Sequence, residues 1–500
     1  MPRRLSVKSK ESFQTKLAIG AIGTKRVISD LAGQGHMPIE LEKGSTSFKL
    51  WTEIKAKRLR VPDVLCVRCG TRVETRSKSK PEVSMSHSES DPERVWNYGL
   101  ADSDYVAFVL CRQTGKLAVD WTASDLVQYI SVKDLGEAKR EGKAELSKVK
   151  GGEEGFERRY IWPSRFASRA GKVVEISGEK LRYRPADNHP KKISISLSKE
   201  LPSEESLPLP ALVQVGDDVA EGQILASVVP VVRRFSCRGD KDVSYYADLA
   251  KSTSRVDRFA AVRALAFTEP AESEVVLNSV VKNEKEEVLI RLEAAASLER
   301  LSPGLGMPAI KQFLGDSIQS VRFDAITSLA SLEAAEAGRL LQDILFDKTQ
   351  SPELRAAAAW GLGEIGDEKA TSSLITAFDL SQHGIRVEAA RALLSILRRH
   401  ASEKAVLRSV LSDFKGGQRQ KRAGIAWAIG RAQALSAQDV LDCLVDEDAR
   451  QWVAYAIGMQ DASRQITGIE ELKTKDPEVY FAATVLWNLL SSWVADLEEY

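Results

Sequence analysis

The stretch RLRVPDVLCVRCGTRVETRSKSK, residues 58–80, is the most informative short segment of this 500-residue chain outside its repeats. Two chemistries compete for it. In the first, Pro62-Asp63 ends a basic strand, the VLCV run continues it, and a turn at 68–71 reverses the chain. The return strand then carries Glu74, Arg76 and Lys78 on one face, because side chains alternate along a strand. Hairpin pairing would bring Asp63 near Glu74. Two carboxylates so placed can hold Mg2+ or Mn2+, oxygen-seeking cations that also bind a phosphate oxygen and an attacking water. Arg76 or Lys78 beside them would stabilise developing negative charge. In the second chemistry, Cys66-x-x-Cys69-Gly70 is a zinc knuckle, half of a four-ligand structural site. Cys111 on a later strand and His87 are the nearest candidates for the other half. The two readings are compatible, since a knuckle can cap such a hairpin.

The elements that must position these groups are a helix over 11–31, broken by AGQGHMP, and short strands at 38–42, 48–54, 58–66, 72–76 and 105–111. This order of helix, strand, Pro-Asp strand and Glu-x-x strand resembles the PD-(D/E)xK superfamily of restriction-endonuclease-like folds. The resemblance implies Asp63 and Glu74 as metal ligands, with Glu40, Glu42 or Glu11 as a further carboxylate. It implies metal-dependent phosphodiester hydrolysis, and by analogy a role in prokaryotic defence. The motif's lysine position is Arg76, an E-x-R departure, and arginine cannot act as a base at ordinary pH; Lys78 is the substitute on the same face. On this reading Lys55, Lys57, Arg58, Arg60, Arg72, Lys80 and Arg94 contact nucleic acid, DNA more than RNA, with Trp96 beside them.

Charge supports an anionic partner. Residues 1–80 hold 18 Lys or Arg against 7 Asp or Glu, although the whole chain has a formal charge of only +1. A basic region on a mildly acidic remainder fits nucleic acid. Five cysteines, an odd number with one close pair, argue against a disulfide scaffold. The first residues lack the apolar core of a secretory signal and no apolar run approaches a membrane span, so a cytoplasmic protein that does not enter a membrane is expected. No phosphate loop, nucleophile elbow, dinucleotide fingerprint or H-E-x-x-H pair is present.

After residue 135 the pattern changes. Residues 136–156 are charged and helix-favouring, and read as a linker. Residues 157–240 read as a small all-β module, with a hairpin turn at Ser177-Gly178. The stretch LVQVGDDVAEGQILASVV within it resembles lipoyl-like and barrel-sandwich hybrid half-barrels, without the lysine a carrier domain would need.

Residues 243–500 repeat. RFAAVRAL at Arg258, RLEAAASL at Arg291, RFDAITSL at Arg322, RAAAAWGL at Arg355 and RVEAARAL at Arg386 are followed by looser copies at Arg422, Arg450 and Val479. A period near 30 residues means one helical hairpin per repeat, each needing its neighbours to bury its apolar face. The block resembles HEAT-like repeats of the short bacterial type, about eight hairpins in an α-solenoid that would dock a protein partner. Its arginines are expected to cap or bridge hairpins, with Glu293, Asp324 and Glu388 beside them. Trp360, Trp427, Trp452 and Trp487 are expected to pack between repeats. The fold expected is thus multidomain α+β: an α/β restriction-endonuclease-like head (1–135), the all-β module and the solenoid. The function expected is a metal-dependent endonuclease with a docking scaffold. The alternative is a non-enzymatic HEAT-repeat adaptor whose head is zinc-stabilised or a degenerate nuclease.

Overall fold

Why the hairpin forms is visible in a computed structural model of the chain. It describes residues 5–41, 59–114, 121–148, 158–187, 191–200, 206–332, 334–416 and 419–435, with 439, 452 and 456. The chain divides into two compact units, Met1–Phe48 with Arg58–Leu277, and Lys49–Lys57 with Asn278–Tyr500.

In the first unit a long helix, α1 (Leu5–Gly33), precedes strands β1 (Pro38–Glu40), β2 (Val64–Cys66) and β3 (Arg72–Lys78). β4 (Ser84–His87), β5 (Tyr105–Gln113) and β6 (Trp121–Ser131) follow. The main sheet has the order β1-β2-β3-β5-β6, with β3 and β5 parallel and the other pairs antiparallel. This is a mixed α/β head. Helix α1 lies on the sheet, and a Cβ at Gly23 would meet Ser77 Oγ at 1.7 Å, so only glycine permits the approach. Val27 and Leu31 from the helix and Val64, Val73, Ala107, Val109, Val127 and Tyr129 from the sheet form the core between them. The expected basic strand at 58–66 is reduced to Val64–Cys66, and the expected strand at 48–54 lies outside the described residues.

The expected linker does not persist as a helix. α2 (Val132–Arg140) ends where Gly142 takes φ +73°, and Lys143 N–H closes the turn on Ala138 O. Residues 145–148 then form β7 (Glu145–Lys148), which pairs with β8 (Arg158–Ile161); β8 pairs with β4 on its other side. Helix propensity loses here because β8 offers an open ladder of backbone donors and acceptors. Trp162, fully buried, joins Trp96, Ile130 and Leu135 in one core, so the stretch after the linker is packed into the head.

The next strands are β9 (Ser164–Phe166), β10 (Gly171–Ser177), β11 (Lys180–Pro185), β12 (Ile193–Ser196), β13 (Ser198–Glu200), β14 (Ser206–Pro208), β15 (Asp218–Val219) and β16 (Ile224–Ser227). β10 and β11 meet at a turn where Gly178 has φ +54°. The glycine of the EGQ turn, Gly222 (φ +78°), rests on Leu110, and Gln128 bonds Gly222 O and Ile224 N from the main sheet. Helices α3 (Val243–Leu249) and α4 (Arg255–Leu265) complete this unit, so the first repeat copy, at Arg258, belongs to it. α5 (Pro270–Lys282) contains the boundary.

The second unit is helical over its described residues: α6 (Val288–Leu301), α7 (Met307–Leu314), α8 (Gln319–Leu329), α9 (Ala335–Phe346) and α10 (Pro352–Ile365). α11 (Thr371–Thr376), α12 (His383–Arg399), α13 (Lys404–Gly416) and α14 (Arg419–Ala432) complete it. The first helices of successive hairpins, α6, α8, α10, α12 and α14, stack in a row over one continuous apolar core. Small residues allow it: a Cβ on Gly363 would lie 2.5 Å from Ala392 Cα. The copies at Arg450 and Val479, and Trp487, lie outside the described residues, apart from Trp452 and Ala456. Among the described residues no helix is long and apolar enough to cross a membrane.

Candidate functional site

The two carboxylates expected to share a metal are engaged elsewhere. Asp63 Oδ2 accepts the backbone N–H of Thr75 at 2.6 Å, across the β2–β3 hairpin. Glu74 faces Arg76 and pairs with it at 2.9 Å. Glu40 ends β1, and its carbonyl accepts from Arg263 Nε at 2.9 Å. Among the described residues Asp63, Glu74 and Glu40 belong to no group of three or more converging metal-ligand atoms. A carboxylate just before a strand readily meets a backbone amide, and this is how Asp63 is engaged. Arg76 Nε also points at Met85 sulfur, at 3.1 Å. Lys78 donates to Ser84 Oγ at 2.9 Å, and burial, reinforced by Arg76, pulls its pKa down to about 8. Glu42 and the side chain of Glu11 lie outside the described residues.

Four other ligand atoms do converge. His36, Cys66, Cys69 and Cys237 bring one nitrogen and three sulfurs within 4.8 Å of one another. Three separate segments supply them. Helix α1 ends at Gly33, and Gly35 (φ +89°) turns the chain so that His36 N–H bonds Leu31 O. Cys66 closes β2. Gly70 (φ +71°) then folds the knuckle back, with its N–H on Cys66 O at 2.8 Å and Cys66 N–H on Thr71 O at 2.9 Å. Cys237 arrives from the stretch before α3, and Lys241 N–H on Arg68 O at 2.9 Å fastens that stretch to the knuckle. Tyr246 Oη adds a bond to Val67 O at 2.7 Å.

The electrostatics of the cluster favour one thiolate even without a metal. The hydrogen bond from Cys69, helped by the N–H of Met37, lowers the Cys66 pKa to about 7, against the effect of burial. The same hydrogen bond, reinforced by burial, pushes Cys69 up to about 12. Burial also raises Cys237.

The ligands expected to complete the knuckle are not the ones present. Cys111 is buried in the α1–sheet core, 4.0 Å from Ile19 O, and burial pushes its pKa up to about 11. His87 accepts Trp96 N–H on Nδ1 at 3.3 Å and lies against Tyr160. Strand β5 runs parallel to β3, which carries Cys111 past the knuckle into the core. Only Cys66 and Cys69 of the expected set are in the cluster. The signals available for the others were weak: a histidine after a helix end, and Cys237-x-Gly239, whose glycine has φ +68° like Gly70.

Two of the expected nucleic-acid contacts, Arg72 and Arg94, have acidic partners. Arg72 lies between Asp104 (3.0 Å) and Asp257 (2.6 Å), and Asp104 is 2% exposed. Arg94 pairs with Asp91 at 3.1 Å, and Trp96 is buried edge-on to Trp162. Lys80 is exposed and Arg60 half-buried; Lys55, Lys57 and Arg58 lie outside the described residues.

In the helical unit the repeat arginines among the described residues reach carbonyls at or just past the end of the preceding helix. Arg291 Nε bonds Val281 O at 3.0 Å, Arg322 Asp316 O at 2.6 Å, Arg355 Leu345 O at 2.9 Å, Arg386 Leu380 O at 2.8 Å and Arg422 Phe414 O at 3.1 Å. Helix ends leave such carbonyls unpaired and carry partial negative charge, so a guanidinium there both caps and neutralises. Of the expected acidic neighbours, Glu293 pairs with Arg300 and Glu388 with Arg391. Five positions after the repeat arginine stand Trp360, Arg391 and Trp427, in α10, α12 and α14, all half-buried.

Comparison with known proteins agrees with this repeat unit. Residues 307–395 match the family described as HEAT repeats. Among solved structures, the phycocyanin lyase complex of CpcE and CpcF from Nostoc sp. is 17% identical, covering 52% of this chain and 99% of that one, with a TM-score of 0.26. Human deoxyhypusine hydroxylase in complex with glycerol is 16% identical over 43% of this chain and 96% of its own, TM-score 0.21. An engineered protein is 17% identical over 50% of this chain and 68% of its own, TM-score 0.24. Scores this low carry no argument, so the repeat assignment rests on the family match and the helix order. No curated protein matches the chain.

Proposed function

We propose that the protein is a non-catalytic HEAT-repeat scaffold that docks an acidic protein segment on the stacked helices α10, α12 and α14. The supporting observation is the row Trp360, Arg391 and Trp427, one residue per repeat at the same position on adjacent helices. Tryptophan and arginine are the side chains most enriched where binding energy concentrates. The surrounding charge favours an acidic partner. Residues 383–432 hold 11 Lys or Arg against 3 Asp or Glu, whereas residues 283–382 hold 9 against 16. A band so short, flanked by negative charge, suits a local acidic segment better than a long polyanion, which the flank would repel. Phosphodiester hydrolysis has no comparable support, since Asp63 and Glu74 are each held by another partner.

The test compares proteins retained from extract of the native cell by the full chain and by an Arg391→Glu, Trp427→Ala variant that keeps the wild-type circular dichroism. A protein retained by the first and lost by the second supports the reading when an acidic peptide from it binds the full chain and not the variant. Identical retained sets would sink it.

A further inference from the structure

We propose that His36, Cys66, Cys69 and Cys237 are the four protein ligands of a structural zinc ion that fastens the chain before α3 to the end of α1 and the β2–β3 knuckle. The inference does not depend on what docks to the helical unit.

The distances fit a tetrahedron around one ion. With Zn–S near 2.3 Å and Zn–N near 2.0–2.1 Å, two sulfurs should lie about 3.8 Å apart and a sulfur and a nitrogen about 3.6 Å apart. Cys66 Sγ and Cys237 Sγ are 3.8 Å apart, and Cys69 Sγ and His36 Nδ1 are 3.7 Å apart. No disulfide accounts for the proximity, because all three thiols are free. An iron–sulfur cluster would need its ligands spread far wider than 4.8 Å, and three thiolates with an imidazole exclude magnesium and calcium.

The surrounding groups prepare the ligands. His36 Nε2 lies 3.1 Å from Phe235 O; a carbonyl can only accept, so Nε2 carries the proton and the Nδ1 lone pair faces the sulfurs. The same imidazole packs on the Phe235 ring at 4.7 Å, fixing its plane. Met37 N–H points at Cys66 Sγ (3.4 Å), and Gly239 N–H serves Cys237, donors that stabilise thiolates. Four protein ligands leave no position for water or substrate, which marks the site as structural rather than catalytic. The ion would close a 171-residue separation between Cys66 and Cys237.

The test is elemental analysis of the full chain after gel filtration, with cobalt substitution as a second measurement. About one zinc per chain is expected for wild type, Cys111→Ser and His87→Ala, and far less than one for Cys237→Ser and His36→Ala. Because a ligand variant can fail to fold, wild type reconstituted with Co2+ should show the intense visible bands and sulfur-to-metal charge transfer of a tetrahedral thiolate site. Zinc well below one per chain in wild type, a different metal at one per chain, zinc unchanged by Cys237→Ser, or a cobalt spectrum without thiolate character would each overturn the proposal.

Discussion

The longest-range polar contacts of the two units close loops of very different length. In the first unit, His36 meets Phe235 across 199 residues, Arg72 meets Asp257 across 185 and Cys66 meets Cys237 across 171. In the second, a repeat arginine reaches back 6 to 10 residues, and neighbouring repeats are joined by bonds such as Ser395 to Gly363, 32 residues apart. The first arrangement makes stability collective, since each contact holds several segments at once. The second makes it nearly a sum of repeats and the interfaces between neighbours. One unit should therefore fail as a whole and the other piece by piece.

The largest expected effect tests the collective side. On the zinc proposal, Cys237→Ser should destabilise the first unit by on the order of 4 kcal/mol, the scale of a cross-link closing a loop above a hundred residues. Hydrogen exchange should then accelerate through α1, β2, β3 and α3 together, with the helices of the second unit unaltered. Acceleration confined to residues near 237 would break the contrast.

Next is the piecewise side. Arg355 is 4% exposed, and its guanidinium caps α9 at Leu345 O. Arg355→Ala should cost about 2–3 kcal/mol, as for a buried charged hydrogen bond. Exchange should quicken in α9 and α10 and fade within one repeat on either side. Uniform acceleration from α6 to α14 would show that the repeats melt together.

A smaller effect depends on pH. Lys78 has a folded pKa near 8, below its ordinary 10.5. Between those values the unfolded chain binds more protons, so stability rises with pH across that window, and the full cost of burying the charge is present below about 8. Lys78→Met should remove this rise and gain about 1–3 kcal/mol near neutral pH, read by denaturant titration at pH 7 and pH 10. A wild-type difference between the two pH values that Lys78→Met reproduces would contradict it.

The smallest expected effect is a modest loss of stability with no change in nucleic-acid cleavage. Asp63→Ala should lose about 1 kcal/mol with the cap on Thr75. It should leave plasmid and RNA integrity in Mg2+ or Mn2+ the same as with wild type or Glu74→Ala. Nicking by wild type that both variants abolish would restore the phosphodiesterase reading.

Some of this was legible early because it is local. The helix before Gly33, the hairpin turn at Gly70 and the turn at Gly178 are each encoded within a few residues. So are the arginine caps, because their targets lie only 6 to 10 residues back, near the end of the preceding helix. Cys66 and Cys69 announced themselves by spacing. The bond from Thr75 N–H to Asp63 was not legible, because proximity across a hairpin does not say whether a side chain faces its counterpart or a backbone amide. Residues 145–148 misled because their charge suits a helix, while an open edge of β8 offered a better partner.

Sequence alone therefore determined what repeats or turns within short range: the HEAT-like hairpins, the knuckle and the asymmetry of charge. Only tertiary structure decided which distant histidine and cysteine meet that knuckle and which acids meet Arg72. A four-ligand cluster drawn from three segments has no period and no fixed spacing. Its members are chosen by how α1, β2 and the stretch before α3 pack, and that is settled by burial and hydrogen bonding across the whole unit.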